Sequence, residues 1–306
     1  MSQYQRLLLI ADPSMLHHQA LQRAMALAQA SGAALHIAAF VAALPVFDEN
    51  FEQVPWPSLL NQRRQWLQEQ TADLASQGIT VTIEVVFSDD PLEEILVHVA
   101  QMQPDMLIKD VQHVAALKRA FITPLDCHLL RECPVPVHLV SSAAQPLPHR
   151  VVAAVDLSSP ETQLMAINEQ IIRAANGLAL QCNAELHLLH VYDLAPVVFW
   201  DGAAGAAAWS ADFIADLHAS LLKAFTQLAE HFGVPEECRH FVRGTPLRAI
   251  ADFARQQHSD VLVMGTRHHR GLSSPLLGST AEYLLYQAPC NILAVKAAGD
   301  TEEAVG

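Results

Sequence analysis

The sequence predicts an α/β protein made of two tandem, doubly wound parallel-sheet domains. Three observations carry this: a chain of 306 residues, an internal repeat that spans nearly all of it, and short apolar runs alternating with stretches of helical spacing. One α/β core is comfortable at about 150 residues, so this length has room for two. Hydrophobic residues make up 51% of the chain and charged ones 16%, which suits sheets covered on both faces and is too apolar for a disordered chain.

The first copy opens with the run LLLIA between Arg6 and Asp12. It is too short for a secretion signal and lacks a small-residue cleavage site after it, so it reads as a strand. Leu21, Met25 and Ala28 then recur at helical spacing, and the stretch GAALHIAAFV from Gly32 gives the second strand. A long segment, residues 42 to 58, carries Phe47, Phe51 and Trp56 ahead of the helix that leads to the third strand. Its aromatic residues suit a pocket cover or a filler between domains. The runs MLIKD after Asp105 and PVPVHLV after Cys133 supply the later strands.

The second copy repeats these elements in the same order. VVAAV between Arg150 and Asp156 matches the first strand at an offset of 144, and AELHLLHVY after Asn183 matches the second, so that His36 and His187 coincide. The first helix is longer in this copy, and the segment 193 to 210 again holds aromatics, Phe199, Trp200 and Trp209. From there the offset is 155: PLEEI after Asp90 matches PLRAI after Thr245, Asp105 matches Asp260, and Cys133 meets Ala288. The stretch SSAAQPLPH from Ser141 has linker composition. It divides the chain into a first domain, 1–145, a second, 146–300, and a tail, 301–306. Apolar strands joined by helices imply parallel sheets with right-handed crossovers.

Charge and cysteine usage exclude several function classes. A net charge of −14 argues against nucleic acid and anionic membrane as partners, because phosphates need clustered Lys and Arg. Nothing approaches the roughly 18 apolar residues of a membrane span. Five cysteines, with no CxxC pair, fit a reducing cytoplasm.

One motif carries chemistry. After the strand from Val261 comes Gly265-TRHHRGLSSPLL-Gly278-Ser279-Thr280, running into the helix AEYLLYQ. Small residues at a strand's carboxyl end admit phosphate close to backbone N–H groups, and Gly278, Ser279 and Thr280 place donors at a helix N-terminus. Ser and Thr also cap helices without any ligand, so the surrounding motif is what favours an anion site.

This stretch resembles the universal stress protein family, whose ATP-binding members carry Gly, two residues, Gly, nine residues, then Gly-Ser or Gly-Thr. The closing run APCNILAV from Ala288 is similar to the family's last strand, and the likeness spans both copies, as in tandem members. The resemblance implies an adenine nucleotide alpha hydrolase-like fold and a binding site for ATP or a related nucleotide with its magnesium. It places Asp156 on the adenosine part, Val191, Met264 and Gly265 along the adenine wall, and Gly278, Ser279 and Thr280 on the phosphates. His268 stands where the motif has its second glycine, and Arg267, His269 and Arg270 offer positive charge nearby. In the first copy the corresponding stretch runs from Asp110 to Thr123 and Pro124 without the glycines; Asp110 would repel a phosphate and Pro124 lacks an N–H.

Asp12 and Asp156 also admit a plain reading as caps of the helices that follow, favoured for Asp12. His36 and His187 read as buried, hydrogen-bonded strand residues, with His190 nearer the strand end. The pairs His17-His18 and His268-His269 lack metal-ligand spacing, so no metal site beyond nucleotide-bound magnesium is expected. There is no GxSxG elbow, paired carboxylates or Walker lysine, and hence no sign of a dedicated enzyme. The expected function is a cytoplasmic, non-enzymatic stress-response or ligand-sensing module with a nucleotide or other small-molecule ligand. The competing reading is a structural or interaction protein that binds no nucleotide and works through protein partners or an apolar ligand. By the family resemblance the halves pair through their last strands as an intramolecular pseudo-dimer, and two chains pair further as a homodimer.

Overall fold

The computed structural model describes residues 4–15, 18–42, 55–111, 124–141, 145–158, 162–193, 211–266 and 289–296. The first half runs β1 (Arg6–Ile10), α1 (Gln19–Ser31), β2 (Ala34–Val41), α2 (Trp56–Ser76), β3 (Val81–Phe87), α3 (Pro91–Met102), β4 (Met106–Asp110), α4 (Leu125–Glu132) and β5 (Val137–Val140). The second runs β6 (Arg150–Val155), α5 (Thr162–Cys182), β7 (Glu185–Tyr192), α6 (Ala211–His231), β8 (Arg239–Arg243), α7 (Pro246–Gln256), β9 (Val261–Gly265) and β10 (Asn291–Val295). A short 3₁₀ turn, Glu236–Cys238, precedes β8.

All described strands join one sheet in the order β3-β2-β1-β4-β5-β10-β9-β6-β7-β8. Pairing is parallel within each half, and β5 meets β10 antiparallel, with Leu139 opposite Ile292 and His138 opposite Leu293. The central strands are apolar on both faces, as burial from two sides requires. Leu7 and Leu9 face one core and Leu8 and Ile10 the other, and each core is continuous across both halves.

The repeated residues have a structural cause. Asp105 Oδ2 accepts the backbone N–H groups of Gln5 and Arg6 at 2.7 and 2.8 Å, and Asp260 Oδ2 accepts those of His149 and Arg150 at 2.8 and 2.9 Å. Arg6 donates to Met102 O, and Arg150 to Gln257 O. Each half thus anchors the start of its first strand on the turn before its fourth, satisfying backbone donors where the strand begins. At the junction, His138 Nδ1 donates to Ile292 O at 3.1 Å, and Ser141 N donates to Asn291 Oδ1 at 2.9 Å. Tyr4 Oη donates to Ala174 O, bringing the first half's N-terminal segment against α5. No helix among the described residues is long and apolar enough to cross a membrane. The five cysteines are thiols, four of them buried.

Candidate functional site

In a doubly wound parallel sheet a crevice opens where neighbouring strands send their connections to opposite faces, outside the strands' carboxyl ends. The strand order puts that point between β1 and β4 in the first half and between β6 and β9 in the second.

In the second half, Asp156 follows β6, Met264 and Gly265 end β9, and Val191 lies near the end of the neighbouring β7. Four of the residues picked out in the sequence therefore stand at the carboxyl ends of three adjacent strands. The Asp156 backbone is held from both sides by Asn168, a fully buried residue of α5: Asp156 N–H donates to Asn168 Oδ1 at 2.9 Å, and Asn168 Nδ2 donates to Asp156 O. The Asp156 side chain is exposed and accepts Ser158 N–H at 2.9 Å. Met264 is buried and Val191 half-buried, which gives an apolar wall beside this carboxylate. The remaining residues of the motif, His268, Gly278, Ser279 and Thr280, lie outside the described residues. So do Arg267, His269, Arg270 and the aromatics Phe47, Phe51, Phe199, Trp200 and Trp209.

Gly265 has a second reason to be glycine. A Cβ there would stand 2.9 Å from Ile167 Cγ1 and 3.4 Å from Ile171 Cδ1, both on α5. The close approach is between helix and strand, whatever binds beyond them.

His190 sits under Asp156. Its Nδ1 donates to Val155 O at 3.1 Å, and burial holds its pKa below the ordinary histidine value, so the ring is neutral at pH 7. It packs on Phe225 and Phe241, and Phe241 stacks on Tyr192 with ring centroids 4.5 Å apart. This aromatic layer stiffens the end of β7 that carries Val191.

In the first half, the strand matching β9 ends in charged residues. Asp110 ends β4, and its Oδ1 accepts Ala20 N–H at 2.9 Å in the first turn of α1, the position that favours an anion. Lys109 Nζ donates to Asp126 Oδ1 at 2.9 Å, an ion pair whose carboxylate is fully buried. Pro124 precedes α4 at its N-cap.

Two expectations, for Asp12 and His36, and one alternative reading, for Asp156, are corrected. Asp12 does not begin the following helix: it closes a turn onto Ser14 N–H and Oγ at 2.9 and 2.5 Å, whereas α1 starts at Gln19 with Asp110 on its N-terminus. Asp156 likewise turns onto Ser158, ahead of an α5 that starts at Thr162. His36 is only half-buried, because β3 beyond it is the sheet edge, and it bonds Thr82 Oγ1 from the half-open side; His187 is buried as expected, and His190, nearer the strand end, is buried too.

These features define a class: a doubly wound α/β protein of two repeated halves, whose described strands join in one sheet. Comparison with known proteins gives the family. A profile of the universal stress protein family matches residues 3–141 and 148–296, and the chain belongs to that family, in tandem form, with a role in stress response. The chain is 31% identical over 308 residues to universal stress protein E of Escherichia coli K12, covering 97% of this chain and 95% of that one. It is 31% identical over 316 residues to the protein of the same name from Photorhabdus laumondii. A Pseudomonas aeruginosa PAO1 protein of unknown function superposes with a TM-score of 0.74 at 23% identity, covering 96% of this chain and 93% of that one.

Proposed function

We propose that the second half binds ATP or a related nucleotide with magnesium, and that the chain acts as a cytoplasmic, non-enzymatic sensing module of the stress response. The observation that supports this most is the crevice between β6 and β9, where exposed Asp156, its backbone held by buried Asn168, stands beside the apolar side chains of Val191 and Met264. A carboxylate there can accept hydrogen bonds from ribose hydroxyls while the base lies on the apolar side chains, an arrangement usual for such crevices. The phosphate end rests on Gly278, Ser279 and Thr280 of the sequence motif. In the first half Asp110 already supplies the anion at the helix N-terminus, so that lobe takes no phosphate in this reading.

Calorimetric titration of the full chain with ATP and magnesium tests it. A saturable heat is expected, weakened at least about tenfold by Asp156→Ala through loss of a charge-assisted bond. No heat at high-micromolar ATP would overturn the proposal. His268→Gly is expected to tighten binding by restoring the motif's second glycine. ATP turnover abolished by Ser279→Ala would convert the module into an ATPase.

A further inference from the structure

We propose that His36, Glu84 and His98 form a binding site for a divalent transition metal of the zinc class, on the outer edge of the first half and independent of the nucleotide reading. The topology brings them together. β2 and β3 pair in parallel register with His36 beside Thr82 and Ala38 beside Glu84. Side chains alternate faces along a strand, so His36, Thr82 and Glu84 share the face that carries Ala38 and Phe40. Helix α3 covers that face: the His98 ring lies 5.3 Å from Phe40 and 5.9 Å from His36. One ligand atom from each of the three side chains falls within 4.8 Å of the other two.

The hydrogen bonds around the rings orient them for ligation. His98 Nδ1 lies 2.8 Å from Glu94 O, and a carbonyl only accepts, so Nδ1 carries the hydrogen. In the neutral ring Nε2 then points a lone pair at Glu84 Oε2, 3.2 Å away. Two acceptors at that distance need a cation between them, either a proton on the ring or a metal. His36 repeats the pattern: Nδ1 contacts Thr82 Oγ1 at 2.6 Å, while Nε2 is buried and has no hydrogen-bond partner among the described residues. An imidazole held at one nitrogen by an outer partner, with the other free to coordinate, is the usual condition of a metal-ligating histidine.

The donor set selects the metal. Two imidazole nitrogens and one carboxylate suit zinc and its neighbours better than magnesium or calcium, which take mainly oxygen. The Glu84 side chain is 47% exposed against 10% for His98. The carboxylate can therefore swing inward to close the set, and solvent can fill a fourth position. The second half supplies an internal contrast. Its His187 matches His36, but Phe253 occupies the place of His98 at the 155-residue offset, and its ring lies 4.7 Å from His240. His187 Nδ1 is instead satisfied by His240 Nε2 at 2.9 Å. Its Nε2 meets Glu185 Oε2 at 3.3 Å, so neither ring nitrogen is left open there.

The test uses the purified full chain, stripped with a chelator and titrated with Zn²⁺ in competition with a chromophoric chelator. One zinc is expected to bind with no competition from Mg²⁺ or Ca²⁺, to raise the thermal midpoint, and to be weakened at least about tenfold by Glu84→Gln and by His98→Phe. Both variants are checked by circular dichroism; if His98→Phe fails to fold, Glu84→Gln, altered at a half-exposed side chain, decides alone. No zinc bound by the wild-type chain, or zinc bound equally by wild type and Glu84→Gln, would overturn the proposal and leave an imidazolium–carboxylate pair.

Discussion

Gly265→Ala separates two reasons for a glycine at the end of β9. Its φ lies outside the left-handed region, so alanine is allowed by the backbone and the surroundings alone decide the outcome. The new Cβ would meet Ile167 Cγ1 at 2.9 Å, about 0.6 Å inside the near edge of the optimal carbon–carbon range. Ile167 is only 7% exposed and sits on a helix packed against β6 and β9, so the strain cannot be shed by a side-chain swing into water. Overpacking of this kind costs about 1–3 kcal/mol, offset in part by the roughly 0.5–1 kcal/mol that alanine gains over glycine in a strand. A net loss of about 1–2 kcal/mol is expected. Ile167→Ala removes the clashing atom and alone should cost about 2–5 kcal/mol. The double variant should then be less destabilised than the two single losses together, by at least about 1 kcal/mol. Urea denaturation followed by far-ultraviolet circular dichroism measures all four proteins. A Gly265→Ala loss under about 0.5 kcal/mol, or strict additivity, would refute the packing argument and leave ligand approach as the reason for the glycine.

Three further perturbations follow from the geometry. Asp110→Ala removes the acceptor on the first turn of α1 and should cost about 0.5–2 kcal/mol by urea denaturation, with Asp110→Asn costing less because it keeps an acceptor; equal losses would count against the capping role. Asp105→Ala and Asp260→Ala break equivalent pairs of hydrogen bonds, so each should lower stability by about 1–3 kcal/mol, and losses that differ by more than this range would show that the two anchors are not equivalent. His138 is fully buried with its pKa depressed to about 3, first by burial and then by Arg23. Its folded value lies below the unfolded one, so the stability it confers is complete above about pH 6.5 and is lost as pH falls toward the folded value. The denaturation midpoint should therefore fall more steeply between these limits in wild type than in His138→Asn, whose amide keeps the donor to Ile292 O; parallel profiles would refute the assignment.

Much of the architecture was legible because it is written in local patterns. The apolar runs ending in Asp12 and Asp156 are the first strands, and the offset of 155 that matches Asp105 to Asp260 marks two side chains with the same hydrogen bonds. The placement of Asp156, Val191, Met264 and Gly265 on adjacent strand ends was reachable from the family motif and strand order together. Other features were not legible, since they depend on which elements touch. Asp110 reads in the sequence as repulsion toward phosphate; only the fold shows its carboxylate already on Ala20 N–H. Gly265 reads as room for a ligand, and the pressure from Ile167 on α5 carries no sequence signature. His36, Glu84 and His98 are spread over 62 positions and three elements, so no ligand spacing announces them, although the alternation of His36 and Glu84 on neighbouring strands supplies part of the signal.

The seam between β5 and β10 sets His138 opposite Leu293, its own counterpart at the 155-residue offset. That pair marks the local twofold axis relating the halves. If two separate copies of the first half met through this strand, the axial residue would face itself, and two imidazoles would share a dry contact with no carbonyl preference to tell them apart. Joining the halves in one chain removes that constraint. Each side of the axis can hold a different residue, and a change in one lobe is not duplicated in the other. The covalent link thus lets β9 end in Gly265 against α5 while β4 ends in Asp110 on the first turn of α1, without either residue being imposed on the other half.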